Sequence, residues 1–407
     1  MQTFKEREMK KKFNIATIML ATSLAFAGCA NDDQAATTNE TATEPAVEEK
    51  VDDPVENAEN DVAETTDEVT NEADTQTEEA TEEKDEEKEE ETDTTKTPAP
   101  EGNLVLHRAY PGEAGRSFTN VVVATSGDKI VDAIIDEYQY FEADSDYKGV
   151  PNSDKAFGEG TAEGKVLGSK IDNNEPYSAD MKAAGGEVTL LDNYNAVTDF
   201  VKGKTIAELE EELNGKTDEE ILDAVTGATF KSTPNLVRLI VETAKDNAFA
   251  TAGNAENPDT VELRYALGAP HGDKSFGNAI VAVEGDKIVA ASIDEYQYLQ
   301  DGITKQTGDS GFAEGYKDKE VVFASKLENN ESYSSLMAEK AGSTVSLKDN
   351  FNAIENFVAG KTIAEIKEVI AAATPGEAIE AVSGATLVDT VGYLQLIVDA
   401  AENNIRK

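Results

Sequence analysis

Beyond residue 100 the chain repeats itself at an offset of about 157 residues, so whatever it folds into must be built twice. Gly127-Asp-Lys-Ile-Val recurs at Gly285, and Ile135-Asp-Glu-Tyr-Gln-Tyr recurs at Ile293. Ser169-Lys170 returns as Ser325-Lys326, Tyr177-Ser178 as Tyr333-Ser334, and Gly203 to Glu208 as Gly360 to Glu365. A period of that length exceeds a solenoid unit and matches a whole domain. The two copies span residues 101–250 and 259–407, with a linker at 250–259 that contains Gly253 and Pro258.

Each copy opens with β-branched and aromatic runs. Phe118 to Thr125 leads into Ser126-Gly127-Asp128, a hairpin signal, and Ile130 to Tyr140 returns. Glu142 to Gly168 is rich in Gly and Asp and predicts a long surface loop. Helical spacing follows over Asn195 to Lys202, Ile206 to Leu213 and Asp218 to Val225, with Thr205/Glu208 and Thr217/Glu220 placed as capping boxes. The last helix is the clearest. Thr233 caps it, Pro234 suits its first position, and Leu236, Val237, Leu239, Ile240 and Val241 supply the apolar side. Asp389 is the matching cap in the second copy, ahead of Leu394, Leu396, Ile397 and Val398. Strands followed by helices predict an α+β fold with an antiparallel sheet, in two tandem copies.

One seven-residue pattern lies near the end of each copy. It reads Asp223-Ala-Val-Thr226-Gly227-Ala228-Thr229 and then Glu380-Ala-Val-Ser383-Gly384-Ala385-Thr386. Both follow a stretch of helical character and precede the last apolar helix. Small residues just before Thr229 and Thr386 leave those hydroxyls open to a bulky group. A helix starting next would offer its free N–H groups to an anion. Taken by itself, the pattern is equally a tight turn entering a helix.

Composition narrows the chemistry. The formal net charge of −46 opposes binding to nucleic acid or anionic lipid. The single cysteine is Cys29, so no disulfide or thiolate cluster can form within one chain. The two histidines, His107 and His271, are not at matching positions and read as surface residues rather than metal ligands. A chain of this kind that handled electrons would carry them on an organic cofactor.

Residues 1–28 read as an export signal, with Lys10, Lys11 and Lys12 before a short apolar run from Ile15 to Phe26. Phe26-Ala27-Gly28-Cys29 resembles a lipobox, which makes Cys29 the lipid-bearing residue of a protein held on the outer face of a cell membrane. Residues 29–100 form an acidic tether; from 30 to 100 it holds 27 Asp and Glu against 4 Lys and predicts disorder. Flexible-chain statistics give it roughly 45–50 Å end to end, and full extension about 230 Å.

The pattern D-x-x-[S/T]-G-A-T resembles the signature of FMN-binding domains whose last Thr carries FMN through a phosphoester. Such domains occur in the C and G subunits of sodium-pumping and related quinone oxidoreductases. With its leader and two copies, the chain resembles flavin-bearing surface lipoproteins of extracellular electron transfer in Gram-positive bacteria, some of which release a peptide pheromone from the signal. The resemblance implies two covalent FMN groups, on Thr229 and Thr386, installed by a flavin transferase. It also implies that Asp223, Thr226, Gly227 and Ala228, with Glu380, Ser383, Gly384 and Ala385, form the attachment sites. Glu380 departs by one methylene from the family's Asp. The implied donors are a membrane NADH dehydrogenase and quinone pool, and the implied acceptors are ferric iron or other extracellular oxidants. The protein would be an electron carrier, not a complete enzyme, and no G-x-G-x-x-G pattern for NADH follows a strand here.

A flavin ring is expected to rest on apolar or aromatic groups. Tyr138 with Tyr140, and Tyr296 with Tyr298, lie two apart and so share a strand face; Tyr194 and Phe351 are a second matched pair. The plainer reading makes these aromatics the small core of a domain without Trp. Ser169-Lys170 and Tyr177-Ser178 are further candidates for lining the ring, or for a fold-stabilising loop. Reduced flavin is an anion at neutral pH, so abundant carboxylates predict lowered midpoint potentials. Two other functions fit the same sequence: a non-redox surface module that binds a wall component or protein, and a receiver serving one dedicated surface reductase.

Overall fold

The expected hairpin is the centre of each half. A computed structural model describes residues 97–110, 113–114, 116–300, 311–318, 320–374 and 376–405. The export signal, Cys29 and nearly all of the acidic stretch lie outside the described residues. In the first half, β1 (Leu104–Ala109), β2 (Glu113–Ala114), β3 (Ser117–Ser126), β4 (Lys129–Glu142), β5 (Lys165–Ser169) and β6 (Thr251–Gly253) form one antiparallel sheet. Its order is β5-β4-β3-β1-β6, with β2 paired to β3. In the second half, β7 (Glu262–Gly268), β8 (Ser275–Glu284), β9 (Lys287–Gln300) and β10 (Val321–Ser325) repeat the arrangement in the order β10-β9-β8-β7. The expected α+β class with antiparallel sheets is what the chain adopts.

Helices cover each sheet. They are α1 (Asn174–Ala183), α2 (Leu190–Val201), α3 (Ile206–Leu213), α4 (Asp218–Ala224) and α5 (Thr233–Thr243), then α6 (Asn330–Ala341), α7 (Leu347–Val358), α8 (Ile363–Ala372) and α9 (Thr390–Glu402). Their starts are legible chemistry. Thr205, Thr217 and Thr362 close full capping boxes with Glu208, Glu220 and Glu365, each satisfying free N–H groups of the first turn. Helices α5 and α2 pack on β3 and β4, and α9 and α7 pack on β8 and β9.

The second face of each sheet meets the other sheet. This explains why β3 and β8 are buried almost end to end rather than at alternate residues. At the join, two equivalent aspartates each meet a phenol of the opposite repeat, from non-equivalent positions at the end of β1 and within β7. Asp136 Oδ2 accepts from the Tyr265 hydroxyl at 2.8 Å, and Asp294 Oδ2 accepts from the Tyr110 hydroxyl at 2.7 Å. Arg108, fully buried, donates to Asn120, Asn278 and Ser292 at 2.8–3.0 Å. Between the halves sits an aromatic core of Phe118, Tyr138, Phe157, Phe276, Tyr296, Phe312 and Phe323.

Three expectations change here, and the choice left open for the paired tyrosines is decided. Glu142 to Gly168 is not simply a surface loop: it contains most of β5, and it sends Phe157 and Val150 into the aromatic core. Its Gly and Asp content marked turns, but the ring partners of Phe157 are Phe276, Tyr298 and Phe323, all in the other repeat. The stretch read as a linker contributes β6, paired to β1, because its backbone lies along an open sheet edge. His107 is not a surface residue. It is 4% exposed, with Nε2 2.9 Å from Thr125 Oγ1 and Nδ1 3.0 Å from the Asp246 carbonyl, and burial lowers its pKa. Tyr138 and Tyr296 are fully buried between the sheets, and the Tyr140 and Tyr298 hydroxyls meet each other at 2.7 Å, so these four serve as interface core.

Candidate functional site

The two seven-residue patterns form matching loops between the helical layer and the last helix. Gly227 and Gly384 take φ of +94° and +95°, a region L side chains avoid. Each turns the chain where an added Cβ would meet the Cβ of Ala196 at 3.6 Å or of Ala353 at 3.4 Å. Thr229 and Thr386 emerge exposed, as do Asp223, Thr226, Glu380 and Ser383; Ala228 is half-buried and Ala385 buried at 9%.

What holds each loop is an asparagine that the motif does not contain. Asn193, fully buried on α2, accepts at Oδ1 from the Thr229 N–H at 2.7 Å, the Phe230 N–H at 3.1 Å and the Thr229 hydroxyl at 3.3 Å. Its Nδ2 donates to the Thr189 carbonyl at 2.8 Å, which fixes the amide's orientation. Asn350 on α7 repeats this, accepting from the Thr386 N–H at 2.7 Å and hydroxyl at 3.2 Å and donating to the Ser346 carbonyl at 2.8 Å. The signal was present in sequence as Asp-Asn-Tyr-Asn at 192–195 and Asp-Asn-Phe-Asn at 349–352.

Two expectations about the motif are corrected. A helix, α4, precedes the first copy, but turns precede the second, where Gly376 sits at φ +80°. The following helix starts where expected, at Thr233 and Thr390, but Thr233 is its first residue rather than its cap, and Ser232 before it makes no capping bond. Its N-terminal position in the second copy is Asp389, which makes no capping bond and instead lies 2.6 Å from His271 Nδ1.

A cavity of about 590 Å³ opens beside Thr386, within the usual range for small-ligand sites. Its walls include Tyr333, Met337, Leu347, Val388 and Tyr393, with Glu295 at the polar end. Val388 is the one large apolar side chain strongly exposed among the described residues, at 52%. Behind the cavity, Glu295 Oε2 accepts from Lys326 Nζ at 2.6 Å and from the Tyr393 hydroxyl at 2.9 Å; Oε1 accepts from Ser275 at 2.7 Å. Lys326 Nζ also stands 4.8 Å from the Tyr333 ring centre. Burial opposes the Lys326 charge most strongly, but Glu295 and Tyr333 together outweigh it and raise the pKa above the ordinary lysine value. Burial pushes the Tyr393 phenol well above its usual range, and Glu295 adds to the effect.

The first half carries the same set. Glu137 Oε2 accepts from Lys170 at 3.2 Å and from the Tyr194 hydroxyl at 2.5 Å, with Lys170 5.0 Å from the Tyr177 ring centre. Lys170 and Tyr177 were legible as repeated positions, while their serine neighbours are structural. Ser178 and Ser334 accept from the N–H groups of Leu190 and Leu347 at 3.0 and 2.9 Å.

Among the described residues no group of three or more His, Cys, Asp or Glu side chains is placed to hold a metal ion, and no helix is long and apolar enough to cross a membrane. The chain matches no protein-family model, no curated protein and no solved structure.

Proposed function

We propose that this chain is an extracellular electron carrier, with one FMN joined by a phosphoester to Thr229 and a second to Thr386. The observation that carries this reading is the pair of exposed threonines on loops of the same construction, one of them opening onto a 590 Å³ cavity with tyrosine walls. A phosphoester needs a reachable hydroxyl and no nucleophilic triad in the carrier, because a flavin transferase supplies the catalysis. Bound FMN would contribute reversible two-electron chemistry. The chain's own residues would do the rest: Asn193 and Asn350 hold the threonine backbone, and the glycines turn it outward. Tyr333 and Tyr393 offer apolar faces to a flat ring.

In this reading Cys29 carries the lipid that anchors the protein to the outer face of the membrane of a Gram-positive cell. The acidic tether lets the folded part reach away from it. Electrons enter from a membrane NADH dehydrogenase through quinone and leave to ferric iron or another extracellular acceptor. The test is intact mass of protein coexpressed with a flavin transferase. Wild type gains two FMN phosphoryl groups, Thr229→Ala and Thr386→Ala each gain one, and the double variant gains none. Wild-type protein of unmodified mass would leave the non-redox surface module as the better account.

A further inference from the structure

The repeated Lys–Glu–Tyr set makes no bond to Thr229 or Thr386, and the two halves assemble it from different helices. The sequence offset pairs Tyr194 with Phe351 and Leu236 with Tyr393. In the first half the hydroxyl on the glutamate comes from α2; in the second it comes from α9. The phenol has changed helix while its partner carboxylate has not. A residue serving only to fill volume would not need its hydroxyl restored from another element. In the second half the ion pair is enclosed, each side chain 1% exposed, and Glu295, Tyr333 and Tyr393 all line the cavity beside Thr386. In the first half the pair is more open, at 8% and 17%.

We propose that Lys326, Glu295 and Tyr393 set the reduction potential of a flavin seated beside Thr386, and that Lys170, Glu137 and Tyr194 do so more weakly beside Thr229. The proposal rests on the flavin reading above. The relevant step is FMN + 2e⁻ + H⁺ → FMNH⁻, with the electrons supplied by a reductant such as dithionite. The product carries one more negative charge than the reactant, so a fixed ammonium nearby favours it and a fixed carboxylate opposes it. Enclosure strengthens both influences, and solvent at the first pair screens them. The Tyr393 hydroxyl disperses charge on Glu295, so its loss acts in the same direction as losing part of the ammonium.

The test uses flavinylated Thr229→Ala protein, whose one remaining flavin is on Thr386, with potentials read by spectroscopic redox titration. Lys326→Gln lowers the midpoint by the equivalent of tenfold or more in the oxidised-to-reduced equilibrium, about 30 mV for a two-electron couple. Glu295→Gln raises it by a similar factor. Tyr393→Leu lowers it by less, and adding Phe351→Tyr restores it. In the Thr386→Ala background, Lys170→Gln and Glu137→Gln give the same signs with smaller size, and these more open positions decide the matter if the Lys326 variant does not fold. Flavin present at Thr386 by mass, with midpoints unmoved or with both substitutions moving it the same way, overturns this inference alone. No flavin on Thr386 in the Thr229→Ala protein overturns it together with the flavin reading.

Discussion

Asn193 and Asn350 each hold two or three groups of a surface loop from a fully buried position. Truncation leaves those N–H groups without their partner and a void below them. Asn350→Ala is therefore expected to cost roughly 1–3 kcal/mol and to lower flavin occupancy at Thr386 while Thr229 keeps its own. Peptide mass mapping of the two sites, beside thermal melts, checks both parts. A second residue gives a pH signature. Glu355 on α7 is 4% exposed and accepts from the Ile293 N–H at 2.8 Å; burial pushes its pKa up to about 8 from the ordinary carboxyl value. A carboxyl raised in the folded state favours folding most below its unfolded pKa, and that contribution is lost as pH rises through the folded value. Glu355→Gln should therefore gain on wild type steadily from about pH 5 to pH 9, by on the order of 3–5 kcal/mol at the upper end. Denaturant titrations at several pH values would show a constant difference if Glu355 were not a buried acid.

The loop carrying each candidate threonine is an element whose shape depends on one backbone angle. At φ near +95° a side chain costs about 1–2 kcal/mol, so Gly227→Ala and Gly384→Ala should each destabilise by that much. The second should suffer slightly more, because its added carbon meets Ala353 at 3.4 Å rather than Ala196 at 3.6 Å. Chemical denaturation resolves differences of this size, and equal stability to wild type would mean the loop turns by another route. The same elements show what sequence periodicity could reach. Capping boxes and apolar spacing marked α3, α4 and α5 to within a residue or so, because those signals are local. The strand β5 and helix α1 were hidden, since a five-residue strand among glycines and a weakly amphipathic helix depend on what they pack against.

Across the whole molecule the two halves exchange equivalent contacts, as the protomers of a two-fold dimer do. A Cβ on Gly160 would lie 2.3 Å from the Tyr298 ring, and one on Gly315 2.1 Å from the Tyr140 ring. The Ala162 N–H donates to the Gly315 carbonyl at 2.8 Å, and the Lys317 N–H to the Gly160 carbonyl at 3.0 Å. Shared burial on this scale should make wild type melt in one cooperative transition. Gly160→Ala with Gly315→Ala forces the tyrosines apart and should split the calorimetric peak in two, with the helical layers of each half intact by circular dichroism. A single undiminished peak would show that the halves do not depend on this contact.

The sequence by itself determined the duplication, the α+β class, the starts of α3, α4 and α5 and the two exposed threonines; apart from the duplication, these follow from short-range patterns. Only the tertiary structure decided that the inner faces of the sheets meet, that a buried asparagine braces each threonine, and that a glutamate on β4 or β9 gathers a lysine and a phenol. Those partners stand tens of residues apart or in opposite repeats. Nothing local in a chain records which distant groups burial will bring within reach of one another.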